Sequence, residues 1–151
     1  NTGGNLLLAM ETRRRFLRER TLLGTIRFTR GDGTLADPVE IWDGPADDLV
    51  RWGGDLVVLT DPLTYSASED FLLGLQGLPY VTVIGRRSGG GSGRPRTIRL
   101  LDDMVVTIST ALTYDRDGTC IEGHGIPVDI EMPVFAKDGR DPAMERTLRP
   151  S

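Results

Sequence analysis

Apolar residues recur along the chain with the spacings of alternating strands and helices. A continuous apolar run at residues 56–59 predicts a strand that is buried on both faces and lies at the centre of the sheet. Helical spacing over residues 66–78 and a further apolar run at 80–84 follow it directly. These three segments predict a strand–helix–strand unit within a mixed α/β fold.

The remaining segments predict further elements around that unit. Helical spacing over residues 5–20, after a Gly-Gly turn, predicts a first helix. The other predicted strands cover residues 24–29, 39–42, 97–101, 104–114 and 128–134. The third and fourth of these form a hairpin, and the polar stretch 136–151 is expected to fray or to end in a short helix. No repeat or linker divides the chain, so residues 1–151 are predicted to form one domain.

Composition and charge exclude several classes of protein. With 38% hydrophobic and 26% charged residues, the 151-residue chain can bury a core. A formal net charge of −4 provides no field that would attract nucleic acid or an anionic membrane. Cys120 is the only cysteine and the apolar runs are short, which excludes an internal disulfide and a membrane-spanning helix. We expect neither a metal nor another cofactor, because no ligand spacing or phosphate-binding glycine motif is present.

Candidate chemistry centres on Ser66, where the predicted central strand gives way to the following helix. A strand that breaks at Asp61-Pro62 and presents a serine in the first helical turn can expose a nucleophile beside backbone N–H groups. The same serine, with Glu69 three residues later, also fits a capping box, in which the hydroxyl only satisfies N–H groups at the helix start. The local pattern by itself favours the cap.

Four motifs follow one another along the chain: Asn1-Thr2-Gly3-Gly4, Asp-Pro-x-Thr-x-Ser-Ala-Ser-Glu at 61–69, Ile84-Gly85 with the glycine-rich loop that follows, and Ile-Glu-Gly-x-Gly-Ile-Pro-x-Asp at 121–129. In this order they resemble the C-terminal-processing, or tail-specific, serine peptidases. The resemblance spans nearly the whole chain and implies the ββα spiral fold of the ClpP and crotonase class. It also implies a peptidase core that begins inside the Gly-Gly signature and carries no PDZ domain in this chain.

The resemblance assigns roles around the serine. Ser66 matches the nucleophile, and the N–H groups of Ala67 and of Gly3 or Gly4 match the oxyanion hole. One branch of the family uses a lysine base 25 residues after the serine, where this chain has Gly91. Lys137, the only lysine, lies too late in the sequence to replace it. The chain is therefore more similar to the tricorn-like branch, which uses a histidine.

The histidine of that branch precedes the Gly-Gly signature, so it is expected outside this sequence. Glu122 matches the carboxylate that orients the base, and either this relay role or support of its loop fits the sequence. His124, the only histidine here, is a candidate base because it lies two residues from Glu122. An exposed or packed loop histidine is the favoured interpretation of that residue.

The resemblance implies a serine peptidase core that hydrolyses peptides or unfolded proteins near their C-termini through an acyl-enzyme on Ser66. The alternative is a non-catalytic ligand- or peptide-binding module on the same fold, which the missing lysine would suit. We expect the isolated chain to be inactive or nearly so. The resemblance slightly favours a secreted or periplasmic location, and both the compartment and self-association are left open.

Overall fold

Three helices and eight strands form the described part of the chain, residues 1–48, 50–133 and 139–148 of a computed structural model. The helices are α1 (Leu6–Arg14), α2 (Ala67–Leu75) and α3 (Pro142–Thr147). The strands are β1 (Thr21–Phe28), β2 (Val39–Asp43), β3 (Leu56–Thr60), β4 (Val81–Gly85), β5 (Arg96–Leu101), β6 (Met104–Ile108), β7 (Ala111–Tyr114) and β8 (Ile130–Glu131). Among the described residues, no helix is both long and apolar enough to span a bilayer.

The predicted strand–helix–strand unit is present as β3, α2 and β4. β3 and β4 pair in parallel from Leu56–Val81 to Thr60–Gly85, and β8 adds to the other side of β4. Helix α2 buries Leu72 and Leu75 in the main core. That core also contains Leu17, Val83, Ile121 and Ile126. The residues after β3 are thus fixed between a sheet and a buried helix.

A second sheet has the antiparallel order β2-β1-β7, and β5 and β6 form a separate hairpin. The structure divides the predicted strand 104–114 between these two sheets. The division falls at Thr110 and Ala111, whose N–H groups donate to the carbonyl of Gly93 at 2.8 and 3.0 Å. The chain turns there, because these donors bond to the glycine-rich loop rather than to a partner strand.

The prediction that residues 56–59 lie at the centre of the sheet is wrong. Within the described residues, β3 has a hydrogen-bonded strand on one side only, and Val57 and Leu59 are 43% and 37% exposed. Their alternation with better buried neighbours shows that one face of β3 is covered and the other is not. An apolar run predicts that a strand forms, but it does not predict which elements pack on its two faces.

Other boundaries also differ from the sequence analysis. Helix α1 ends at Arg14, well before residue 20. The strand predicted at 128–134 is reduced to β8, with residue 134 outside the described residues, as is Lys137. The polar end contains α3, in which Asp141 accepts a hydrogen bond from the N–H of Met144 at 2.9 Å.

The buried side chain of Arg13 joins α1 to both β2 and α2. The Arg13 guanidinium contacts the carboxylate of Asp43 and donates to the carbonyl oxygen of Asp70 at 2.7 Å. Gly74 on α2 leaves space for it, because a Cβ there would lie 2.1 Å from Cδ of Arg13. Arg13 lies in the last turn of α1, so these contacts fix the C-terminal end of α1 against β2 and α2.

Candidate active site

Ser66 lies immediately before α2 in a backbone conformation that serine rarely adopts. Its φ and ψ angles are 56° and −127°. The preceding turn is rigid, because Oδ1 of Asp61 accepts hydrogen bonds from the N–H groups of Leu63 and Thr64 at 2.8 and 3.1 Å. The turn therefore holds a half-buried serine in a strained strand-to-helix position.

The capping alternative is only partly realised. The Glu69 half of a capping box is present, since the N–H of Ser66 donates to Oε2 of Glu69 at 3.2 Å. The N–H of Glu69, however, donates to the backbone carbonyl of Ser66 at 2.8 Å, and the hydroxyl makes no capping hydrogen bond. The Ser66 hydroxyl therefore does not cap the helix and is free to take part in other interactions.

The Gly-Gly turn lies directly against this serine. A Cβ on Gly3 would lie 2.8 Å from Cβ of Ser66 and 3.0 Å from the backbone nitrogen of Ala67. The N–H of Gly3 donates to Oδ1 of Asn1 at 2.9 Å. No described residue accepts a hydrogen bond from the N–H of Gly4 or of Ala67. Of the two glycines, Gly4 therefore has the N–H group that is available to a ligand.

A cavity of about 440 Å³ opens beside these groups, between α1, α2 and the C-terminal part of β3. Gly4 and Ala67 line it together with the apolar side chains of Leu8, Leu59 and Phe71. An apolar space bordered by two free backbone donors is typical of a site that binds part of an organic ligand.

Sequence reasoning missed the main role of Glu69, which joins the serine turn to the glycine-rich loop. Its side chain is fully buried, and Oε1 accepts hydrogen bonds from Oγ of Ser88 at 2.6 Å and the N–H of Gly90 at 2.7 Å. Oε2 accepts the N–H of Gly91 at 2.6 Å, in addition to that of Ser66. In the sequence, Glu69 belongs to the capping pattern and to the 61–69 motif, and neither indicates these contacts with the loop.

A second carboxylate on α2 holds the far end of the loop. The guanidinium of Arg94 donates to both oxygens of Asp70, at 2.9 and 2.8 Å. Arg94 has a φ of 51°, so this side chain fixes a residue in a left-handed conformation. The loop 88–94 is consequently bound to α2 at both ends.

Glu122 lies beside Ser109 and the Gly93 end of the glycine-rich loop. Its Oε1 accepts a hydrogen bond from Oγ of Ser109 at 2.8 Å. Its Oε2 is buried and has no hydrogen-bond partner among the described residues. A Cβ on Gly93 would lie 2.5 Å from Oε1, so the loop contacts this carboxylate closely. Glu122 thus has one oxygen available to a further donor.

His124 is not brought to the serine. Its ring is exposed, and Nδ1 lies 3.0 Å from the carbonyl oxygen of Glu122 within the same turn. No hydrogen bond joins it to Ser66 in the described structure. Cys120 is half-buried, with Sγ 3.9 Å from the same carbonyl oxygen. The described residues contain no group of three His, Cys, Asp or Glu side chains that could hold a metal ion.

A serine in a strained strand-to-helix turn, with free backbone N–H groups beside it, is typical of hydrolases that use a serine nucleophile. Comparison with known proteins narrows that class. The chain belongs to peptidase family S41, whose family profile matches residues 1–132. The predicted membership of a C-terminal-processing serine peptidase family is confirmed, and with it the mixed α/β fold.

Two relatives at 33% identity support this assignment. A carboxy-terminal-processing protease from Bartonella bacilliformis is 33% identical over 139 residues, which are 91% of this chain and 30% of that protein. A solved structure from Parabacteroides merdae, described as a candidate peptidase, has a TM-score of 0.88 at 33% identity. It is matched over 98% of this chain and 48% of its own length.

Mature CPAF, solved in complex with lactacystin, shows the same fold with a TM-score of 0.80 at 15% identity. The match covers 91% of this chain and 39% of CPAF. The chain therefore spans about half or less of the length of these proteins.

Proposed function

We propose that the protein to which this chain belongs is an active serine peptidase that forms an acyl-enzyme on Ser66. The observation that carries the proposal is the contact between the Gly-Gly turn and the serine turn. Gly3 lies against Ser66 and Ala67, and the next residue, Gly4, lines the same cavity as Ala67. Two N–H groups beside a nucleophile are what a tetrahedral oxyanion requires.

The reaction follows from that arrangement. Oγ of Ser66 attacks the carbonyl carbon of a peptide bond, and its proton passes to a general base. The N–H groups of Gly4 and Ala67 donate to the oxyanion. Collapse of the intermediate expels the amine, which takes up the proton, and water then hydrolyses the ester.

We further propose that the base is a histidine from outside the described residues and that Glu122 orients it. Gly91 offers no side chain for this step, and His124 bonds to its own turn. The buried Oε2 of Glu122 supports the proposal, because an unpartnered carboxylate oxygen can accept the N–H of an imidazole. This arrangement corresponds to the tricorn-like branch.

The substrate is proposed to be a peptide or an unfolded protein, cut near its C-terminus. The name of the Bartonella relative supports this proposal. The cavity beside Gly4 and Ala67 supports it too, since it offers apolar surface to a substrate side chain next to the reacting carbonyl.

A fluorophosphonate probe tests the proposal on the full-length protein. We expect stoichiometric labelling that Ser66→Ala abolishes. Ser68→Ala, which removes a neighbouring hydroxyl, is the matched control and should label normally. Labelled protein should give one modified peptide that contains Ser66. Folded full-length protein that resists the probe would favour the alternative of a non-catalytic binding module.

A further inference from the structure

The ring of Tyr65 occupies the volume that any side chain at position 91 would need. A Cβ on Gly91 would lie 1.7 Å from Cζ and 2.1 Å from Oη of Tyr65. A Cβ on Gly89 would lie 2.6 Å from Cδ2 of the same ring. The ring therefore lies against the backbone of the glycine-rich loop, and only glycine at these positions allows it.

Tyr65 also contacts the other side of the site through its backbone. Its N–H donates to the carbonyl of Asn1 at 3.3 Å, and its carbonyl oxygen would lie 2.6 Å from a Cβ on Gly3. The next residue is Ser66. One residue thus joins the Gly-Gly turn, the serine and the glycine-rich loop.

We propose that Tyr65 is a positioning residue that takes the place of a side chain at position 91 and holds the glycine-rich loop in register with Ser66. This inference rests on the proposed function. The loop carries the N–H of Gly91, which shares Oε2 of Glu69 with the N–H of Ser66. A displaced loop would therefore shift the carboxylate that fixes the serine turn.

The ring, rather than the phenol hydroxyl, is the part of Tyr65 that acts. The nearest atom to a Cβ is a ring carbon at both positions, Cδ2 at Gly89 and Cζ at Gly91, with Oη second at Gly91, and Tyr65 is 46% exposed. The same contacts explain why this site uses no loop lysine, because lysine at 91 and the Tyr65 ring exclude each other.

A double-mutant cycle in thermal stability tests the packing without any need for activity. Gly91 lies outside the left-handed region of φ, and the three atoms nearest to a Cβ at this position all belong to Tyr65. We expect Gly91→Ala to lower the midpoint of the full-length protein by roughly 5 °C or more. In a Tyr65→Ala background the same change should have little further effect.

Gly90→Ala is the matched control for that cycle. Gly90 has a φ of +80°, and a Cβ there would lie 2.7 Å from the backbone nitrogen of Gly125. Gly90→Ala should therefore lower the thermal midpoint by the same amount with or without the tyrosine ring. Equal costs of Gly91→Ala in both backgrounds would overturn the proposal.

The rate of Ser66 labelling by fluorophosphonate tests the functional part. At a temperature where all variants are folded, we expect Tyr65→Ala to label about tenfold more slowly. Tyr65→Phe should keep the wild-type rate and pH profile. Loss of labelling in Tyr65→Phe would show that the hydroxyl acts, and normal labelling in Tyr65→Ala would show no positioning role. Either result overturns the proposal.

The two proposals fail in different ways. If wild-type protein is not labelled while the thermal cycle shows coupling, the proposed function fails and the positioning role falls with it. If wild-type protein is labelled and the cycle shows no coupling, only the inference about Tyr65 fails.

Discussion

The hydroxyl of Ser88 donates a hydrogen bond of 2.6 Å to Oε1 of Glu69, and both side chains are buried. The same hydroxyl accepts the N–H of Ile126 at 2.7 Å. Ser88 thus connects α2 to the 121–126 segment, which carries Glu122. The candidate nucleophile and the candidate orienting carboxylate are held in one hydrogen-bonded unit, although they are 56 residues apart.

Glu69→Gln should destabilise the protein and slow the reaction of Ser66. The amide NH₂ would face N–H donors that now bond to a carboxylate, which leaves buried donors unpaired. We expect the free energy of unfolding to fall by about 1–3 kcal/mol. Urea titration measures this, and Glu11→Gln on the exposed face of α1 is the control. Equal stability of the two variants would contradict the assigned role.

The serine was predictable from sequence, but the loop contacts of the carboxylate that fixes it were not. Ser66 lies in a motif whose order along the chain could be recognised, and its strand–helix junction follows from local patterns. The partners of Glu69 lie 19 to 22 residues away, in a loop with no periodicity. Sequence indicated only the contact within the helix turn, since capping is a local interaction.

Glu122→Gln should lower turnover of the full-length protein by roughly tenfold or more. Its Oε2 has no described partner, so the substitution should change the free energy of unfolding little. A neutral amide, however, cannot stabilise the positive charge of an imidazolium as a carboxylate does. Thermal midpoint and single-turnover rate are measured on the same sample. A lower midpoint, with activity reduced only in proportion to folded protein, would assign Glu122 to loop support.

Gly91→Lys alone should not create a lysine-dependent enzyme. The Tyr65 ring fills the start of the side-chain path, so the lysine would displace either the ring or the loop. We expect a lower thermal midpoint and Ser66 labelling slower than in the wild type. Labelling at or above the wild-type rate, with a new alkaline limb in its pH profile, would show that the amine reaches the serine.

The charges around Asp43 predict how stability depends on pH. Burial raises the pKa of this carboxyl, but hydrogen bonds from Arg13, Arg14 and the N–H of Gly44 outweigh that effect and hold it below 3.8. A lowered pKa in the folded state contributes stability above the unfolded value, and this contribution is lost as pH falls through the folded value. The effect should therefore appear below about pH 4.

Asp43→Asn should remove that acid dependence and destabilise the protein at pH 7 by about 3–5 kcal/mol, because Arg13 would remain buried without its partner. Urea unfolding at pH 7 and pH 3 measures both effects. The exposed Asp37→Asn is the control. If the free energy of unfolding falls equally between pH 7 and pH 3 in Asp43→Asn and in the wild type, the Arg13–Asp43 pair does not govern acid sensitivity.

Two predictions from the sequence were wrong: which elements pack on the faces of β3, and where the strand predicted at 104–114 changes its hydrogen-bonded neighbour. The apolar residues of β3 predicted the strand itself, but Val57 and Leu59 are exposed because no described element covers their face fully. The pattern of residues 104–114 predicts one strand, but the structure has two, because the N–H groups of Thr110 and Ala111 donate to the carbonyl of Gly93. Both features depend on contacts distant in sequence, which periodicity does not report.

The backbone at Ser66 has a consequence for protein engineering. A φ of 56° with a ψ of −127° is a conformation that glycine adopts at the lowest cost. Ser66→Gly should therefore raise the free energy of unfolding by about 1 kcal/mol, whereas Ser66→Ala keeps the strain. Thermal melts of the two variants measure the difference. A search for stabilising substitutions would choose glycine here, so thermal robustness and the chemistry of the hydroxyl oppose each other at this position.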